Sequence, residues 1–195
     1  MVSLEDIKSL RGMTGVSFGQ CKSALEAANG DLQAAVVILE KESAKIAAKK
    51  GERSLGSGFV AAYIHQGGSV GTLVHLACET DFVAKNPEFI SLANDIALHV
   101  AGLSPDYISG ENLPKELFDR LEEIFSREVE MLEKPAEIKE NIKAGKFSAY
   151  HKEHALLSQP FIKDENQTIG QIINTMIQKF GERIEVVNFS RYSIR

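Results

Sequence analysis

The chain predicts an α+β fold, with an N-terminal three-helix module followed by a three-stranded antiparallel sheet packed with helices on one face. Three patterns carry this expectation. Two strand-like runs flank Gln66-Gly67-Gly68-Ser69, a turn composition, and so read as a hairpin. The first fifty residues hold three short helical repeats, each preceded by a capping side chain. A final run from Arg183 to Arg195 is rich in Ile, Val, Phe and Tyr and needs the hairpin as its pairing partner.

Ser3 begins the first helix, with Asp6 completing a capping box and Leu4, Ile7 and Leu10 as its apolar edge. Thr14-Gly15 breaks the chain. Ser17 with Gln20 forms a second box, and Cys21, Ala24, Leu25 and Ala28 give that helix its buried side. Gly30 suits a left-handed helix end and Asp31 caps the third helix, where Ala35, Val36 and Leu39 face inward. This helix runs on through Lys45 to Lys50. Its Lys41, Lys45, Lys49, Lys50 and Arg53 read as a solvated helix end, where cations suit the carbonyl dipoles. Ser54 to Gly58 reads as a boundary, dividing the chain into a module of residues 1–53 and an α+β core of 54–195.

In the core, Phe59–His65 and Val70–Glu79 are the hairpin strands. Val70, Thr72, Val74, Leu76 and Cys78 share one side of the second strand, with Gly71, Leu73, His75 and Ala77 on the other. Asn86 caps the next helix, Pro87 fits its first turn, and Phe89, Leu92, Ala93, Ile96, Ala97 and Val100 are its core stripe. Lys115–Glu133 reads as an amphipathic helix through Leu117, Leu121, Ile124 and Phe125. Pro135–Lys143 reads as another, stopped by Gly145, with a further short helix starting near Phe147. Gln159-Pro160-Phe161 is extended. Thr168 and Gln171 open a last helix that carries Ile169, Ile172, Ile173, Met176 and Phe180 and ends at Gly181.

Composition narrows the function classes. A formal net charge of -5 argues against direct nucleic-acid binding, which needs phosphate-neutralising cations. No apolar run has the length of a membrane span, and the first residues do not read as a signal peptide, so a cytoplasmic location is expected. Cys21 and Cys78 read as buried thiols. His151 and His154 are the only His pair at ligand-like spacing. With no supporting Cys or carboxylate pattern they read as surface residues, and neither a metal nor a cofactor is expected. Gly145-Lys146-Phe147 lacks the spacing and the hydroxyl of a phosphate loop.

One stretch stands apart: Thr80-Asp81-Phe82-Val83-Ala84-Lys85-Asn86, between the second strand and the helix that Asn86 caps. From residue type alone, Phe82 is either a core ring with Asp81 as a cap, or a wedge presented outward with Asp81 fixing its angle. The nonapeptide Cys78–Asn86 closely resembles the signature of the elongation factor Ts family. The resemblance extends along nearly the whole chain: Leu10-Arg11, Thr14-Gly15, Cys21-Lys22, Ala24-Leu25, Asn29-Gly30-Asp31, Tyr63-Ile64-His65, Gly71–Val74, Leu157–Phe161 and Thr168–Gln171 occur in the family's order.

The resemblance implies a guanine nucleotide exchange factor with no catalytic site of its own. Its partner would be elongation factor Tu, both GDP-bound and nucleotide-free. Thr80, Asp81, Phe82 and Val83 would dislodge the partner's magnesium and bind the partner, with Phe82 entering near its nucleotide site. Arg11, Thr14, Gly15, Phe18, Lys22 and His65 would add partner contacts, and the module of residues 1–53 would dock on the GTPase domain. Position 18 is Phe where many relatives have other apolar residues. Longer relatives have a second hairpin subdomain and a protruding helical hairpin, and this chain has no room for both. A homodimer through the last strand, with Val187, Phe189, Ser190 and Tyr192, would supply a second copy, and a monomer stays equally open. Some short relatives have Cys where this chain has Ser190, so a disulfide there is excluded. Two other classes remain. The three-helix module also resembles ubiquitin-associated domains, as an adaptor would have, and an enzyme would need His65, His75 and Glu79 to converge.

Overall fold

The computed structural model describes residues 2–194; Met1 and Arg195, the last residue of the predicted strand, lie outside the described residues. Helices α1 (Leu4–Thr14), α2 (Phe18–Ala27) and α3 (Leu32–Lys50) form the N-terminal module. Ser3 and Asp6 make the full capping box. At α2 the Ser17 hydroxyl accepts from the Gln20 N–H at 3.4 Å and donates to Gln20 Oε1 at 2.6 Å. Gly30 turns the chain at φ 88°, and Asp31 Oδ1 accepts from Gln33 and Ala34 N–H. The module has its own core of Ile7, Leu10, Val16, Cys21, Ala24, Leu25, Ala35 and Leu39. Leu4 is not part of it and stands exposed. At 3.6 residues per turn, two steps of three leave Leu4 about 120° around the helix from Leu10.

Strands β1 (Ser57–Ile64), β2 (Val70–Cys78) and β5 (Ile184–Ser193) make an antiparallel sheet in the order β1-β2-β5. The expected pairing of the last strand is thus met on β2, with Val74 opposite Ala61 on one side and Phe189 on the other. Thr72, Val74, Leu76 and Cys78 point inward and are buried, as their alternation requires. Helix α5 (Pro87–Leu103) covers that inner face with Phe89, Leu92, Ala93, Ile96, Ala97 and Val100. The buried Thr72 hydroxyl donates to the Ala97 carbonyl at 2.8 Å, and Arg191 Nε reaches the Ala101 carbonyl. The outer face holds Val60, Ile64, Leu73, His75 and Tyr192, all exposed.

The chain divides into two compact units, Met1–Ala101 with Gly170–Arg195, and Gly102–Ile169. The second unit is built on α6 (Lys115–Glu130) and α7 (Ala136–His154), packed antiparallel. Here the expectation of a stop at Gly145 and a new helix near Phe147 is corrected: α7 is continuous. Glycine in a helix costs only about 1 kcal/mol, and α7 is held on both sides of Gly145. Lys143 pairs with Glu122, Lys146 pairs with Glu128, and the Phe147 ring lies between Phe118 and Phe125, at 5.3 Å and 5.0 Å between centroids. The buried row of α6 runs through Leu121 and Val129, while Ile124 is exposed, about 100° off the row's centre at 3.6 residues per turn. Short strands β3 (Pro160–Phe161) and β4 (Asp164–Thr168) form a ribbon. Helix α8 (Ile169–Phe180) then returns the chain to the first unit and ends at Gly181 with φ 73°.

His151 and His154 are half-buried rather than freely exposed. The first bonds the Tyr107 hydroxyl at 3.2 Å and the second bonds Asp106 at 2.6 Å. Among the described residues no group of three or more His, Cys, Asp or Glu is arranged to hold a metal ion, and no helix is long and apolar enough to cross a membrane.

Candidate functional site

Strand β2 ends at Cys78, and the chain turns through Glu79 and Thr80 into a single helical turn, α4 (Asp81–Ala84). Thr80 is extended (φ -124°, ψ 156°) and caps α4, its Oγ1 accepting from the Val83 N–H at 3.5 Å. Val83 and Ala84 turn inward and are 3% and 7% exposed. Successive residues step about 100° around a helix, so burying this pair leaves Asp81 and Phe82 outward. Phe82 is 79% exposed. It is therefore not a core ring, and the cap is Thr80 rather than Asp81.

The carboxyl of Asp81 accepts from Lys85 Nζ at 2.7 Å, and that hydrogen bond and charge hold its pKa below the ordinary carboxylate value. The base of the turn is fixed elsewhere. Glu79 Oε1 accepts from the Arg183 N–H at 2.6 Å and from Arg53 Nη1 at 3.3 Å. The Arg183 N–H is the largest cause of a lowered Glu79 pKa, with the Arg53 guanidinium adding to it. Arg183 Nη1 donates to the Arg53 carbonyl at 2.6 Å. Glu182 accepts from Thr80 through both carboxylate oxygens. Beneath them the Cys78 thiol donates to the Thr80 carbonyl at 3.2 Å, and burial, with the Glu182 charge, pushes its pKa up to about 11.

The other predicted residues fall in two places. Arg11, Thr14, Gly15, Phe18 and Lys22 gather at the α1–α2 corner. Gly15 takes φ 68° and donates to the Arg11 carbonyl at 2.8 Å, while Thr14 Oγ1 donates to the Leu10 carbonyl at 2.8 Å. Phe18 is 40% exposed, and the exposed Lys22 lies 3.8 Å from Glu26. The Lys179 side chain runs close beneath Gly15 and pairs with Glu88 in the first turn of α5. The module corner is thus tied to the helix that directly follows α4. His65 lies at the other end of the hairpin, exposed and bonded to the Tyr63 hydroxyl at 3.2 Å. At about 3.4 Å per strand residue, β2 separates it from Phe82 by roughly 30 Å. His65, His75 and Glu79 do not converge: His65 is at the turn, His75 on the outer face beside Val60 and Asn188, and Glu79 at the opposite end.

Glu182, Arg183 and Arg53 have no motif of their own. The one sequence signal for them is a charged pair set between a helix-ending glycine and an apolar strand, with signs opposite to Arg53 and Glu79.

The sequence has counterparts among known proteins. A family model described as elongation factor TS matches residues 23–195, which sets the class as a factor of translation elongation. Elongation factor Ts of Petrotoga mobilis is 44% identical over 193 residues, spanning 99% of this chain and 98% of that protein. The Moorella thermoacetica protein of the same name is 40% identical over 194 residues, spanning 100% of this chain and 96% of its own. That of Koribacter versatilis is 40% identical over 193 residues, 99% and 88% respectively. The chain belongs to the elongation factor Ts family. The corner from Arg11 to Lys22 precedes the residues matched by the family model and lies within the span of these relatives.

Proposed function

We propose that the chain is a cytoplasmic guanine nucleotide exchange factor for elongation factor Tu, with no catalytic site of its own. The observation that carries this reading is the Phe82 ring, 79% exposed at the tip of a turn whose other residues are capped, buried or ion-paired. An apolar ring held in water on a fixed base is suited to entering a partner's pocket. Phe82 would part the partner's elements near its nucleotide site and disturb the magnesium and phosphate contacts, so that GDP leaves. Asp81 and Thr80 would contact the partner beside it, while the buried Val83 anchors the turn. The N-terminal module, residues 1–53, would dock on the GTPase domain through Arg11, Thr14, Gly15, Phe18 and Lys22. The factor then binds nucleotide-free partner more tightly than GDP-bound partner, and by linkage GDP weakens factor binding in the same ratio. The test is release of labelled GDP from elongation factor Tu with and without the chain. Release at the spontaneous rate over a wide range of factor concentration refutes it.

A homodimer is supported by the outer face of the sheet. Ala62, Ile64, Leu73, Tyr192 and Ile194 line an apolar groove of about 460 Å³ there. Closed two-fold pairing is the common way to cover such a face. His65, roughly 30 Å along β2 from Phe82 at the usual strand rise, would then reach the partner molecule bound by the other subunit. Light scattering that gives a monomer, and a one-to-one complex with elongation factor Tu, removes the dimer.

A further inference from the structure

We infer that Glu182 is a positioning residue for Phe82, a role that rests on the exchange-factor reading above. Glu182 lies between α8 and β5, 102 residues beyond the turn it holds. Its Oε1 accepts from the Thr80 hydroxyl at 2.6 Å and its Oε2 from the Thr80 N–H at 3.0 Å. Thr80 is the cap of α4, and its hydroxyl has one proton to give. Giving it to Glu182 leaves the oxygen lone pairs toward the Val83 N–H, the bond that starts the turn. An ionised carboxylate is the side chain that accepts both Thr80 donors at once. A glutamine has a single acceptor oxygen, so one donor loses its partner.

The neighbours of Glu182 fix it in turn. Gly181 accepts through its carbonyl from Lys50 Nζ at the end of α3, Gln178 bonds Ser43 of α3, and Lys179 packs under Gly15. Arg183 holds Glu79. The segment 178–183 therefore contacts both the three-helix module and the strand end that bears Phe82, and Glu182 is its contact with the cap. Its role is to hold the ring at one angle to the module, acting through Thr80 rather than by touching the partner molecule.

The test is stopped-flow release of a fluorescent GDP analogue from elongation factor Tu at varied concentrations of the full chain. Glu182→Gln should lower the maximal rate about fivefold or more, the loss of a charge-assisted bond, and should leave the half-saturating concentration within about twofold, because the module still docks. On a Phe82→Ala background it should cost nothing further, since the ring it positions is gone. The chain has no Trp, so Phe82→Trp installs a single indole whose fluorescence anisotropy reads the order of the turn. Glu182→Gln should lower that anisotropy with the melting midpoint little changed. If Glu182→Gln does not fold, Thr80→Val removes the other half of the bond and must lower both the maximal rate and the anisotropy. A wild-type maximal rate in Glu182→Gln, or an equal loss on the Phe82→Ala background, overturns the positioning role while the exchange reading stands. GDP release left at the spontaneous rate by the unaltered chain overturns the exchange reading and takes the positioning role with it, whereas an unimpaired Phe82→Ala overturns the roles of Phe82 and Glu182 and leaves the exchange reading standing.

Discussion

Replacing Phe82 by Ala separates a ring that works on a partner from one that holds the fold. A Phe side chain contributes about 150–250 Å² when fully covered. At 79% exposure the free protein leaves roughly 160 Å² for a partner to cover. At about 25 cal/mol per Å² that is a ceiling of ~4 kcal/mol. Ordering and imperfect fit reduce it toward the ~2 kcal/mol typical of an interface anchor. One factor of ten in rate corresponds to about 1.4 kcal/mol, so catalysed GDP release should slow by about ten- to thirtyfold. The covered fifth of the ring, roughly 40 Å², is worth ~1 kcal/mol to the fold, and the melting midpoint should move little. The assay is release of labelled GDP at saturating factor, normalised to folded protein by a thermal melt. A large fall in midpoint with an unchanged rate per folded molecule would refute the argument and make Phe82 a structural ring.

Four further outcomes are expected. On the docking role proposed for the α1–α2 corner, Arg11→Ala with Phe18→Ala should raise the half-saturating factor concentration by about threefold or more while sparing the maximal rate; an unchanged titration refutes that role. Leu73→Lys puts a charge in the centre of the outer face and should convert a dimer to a monomer by light scattering without loss of the fold, because Leu73 is 50% exposed. Gly145→Ala should stabilise α7 by up to about 1 kcal/mol, since an added Cβ meets no atom within 4 Å; a lower melting midpoint contradicts the continuous helix. Glu79 has a folded pKa below its ordinary 4.5, so the folded state binds fewer protons. Its contribution is present above about 4.5 and lost as pH falls through the folded value. Glu79→Gln should therefore reduce stability at neutral pH and flatten its fall in acid, which denaturant midpoints at several pH values measure.

The parts of the fold that were legible are those where one pattern decides. The α5 stripe, the β2 alternation from Thr72 to Leu76 and the three module caps each lie where their pattern requires, while at the strand ends Val70 is only half-buried and Ala77, on the opposite side, is buried. Gly145 misled because a helix breaker is judged locally, whereas α7 is held by Phe118, Phe125 and Glu122 on another helix. Strand β4, Asp164-Glu165-Asn166-Gln167-Thr168, has no apolar alternation and is set by its pairing with β3. At the site, the position of Phe82 could be read from the turn, but its direction depended on Val83 and Ala84 being the buried pair. Glu182 was illegible because its partner is 102 residues away, and no local spacing records such a pair.

The Cys78 thiol is the hydrogen donor beneath Thr80 and has a pKa of about 11. Thiolate is the form that oxidants and electrophiles attack, and burial with the Glu182 charge keeps this thiol protonated at neutral pH. Cys21, the chain's other thiol, is buried in the module core. The turn that carries Phe82 therefore rests on a buried sulfur that presents no exposed thiolate to an oxidant.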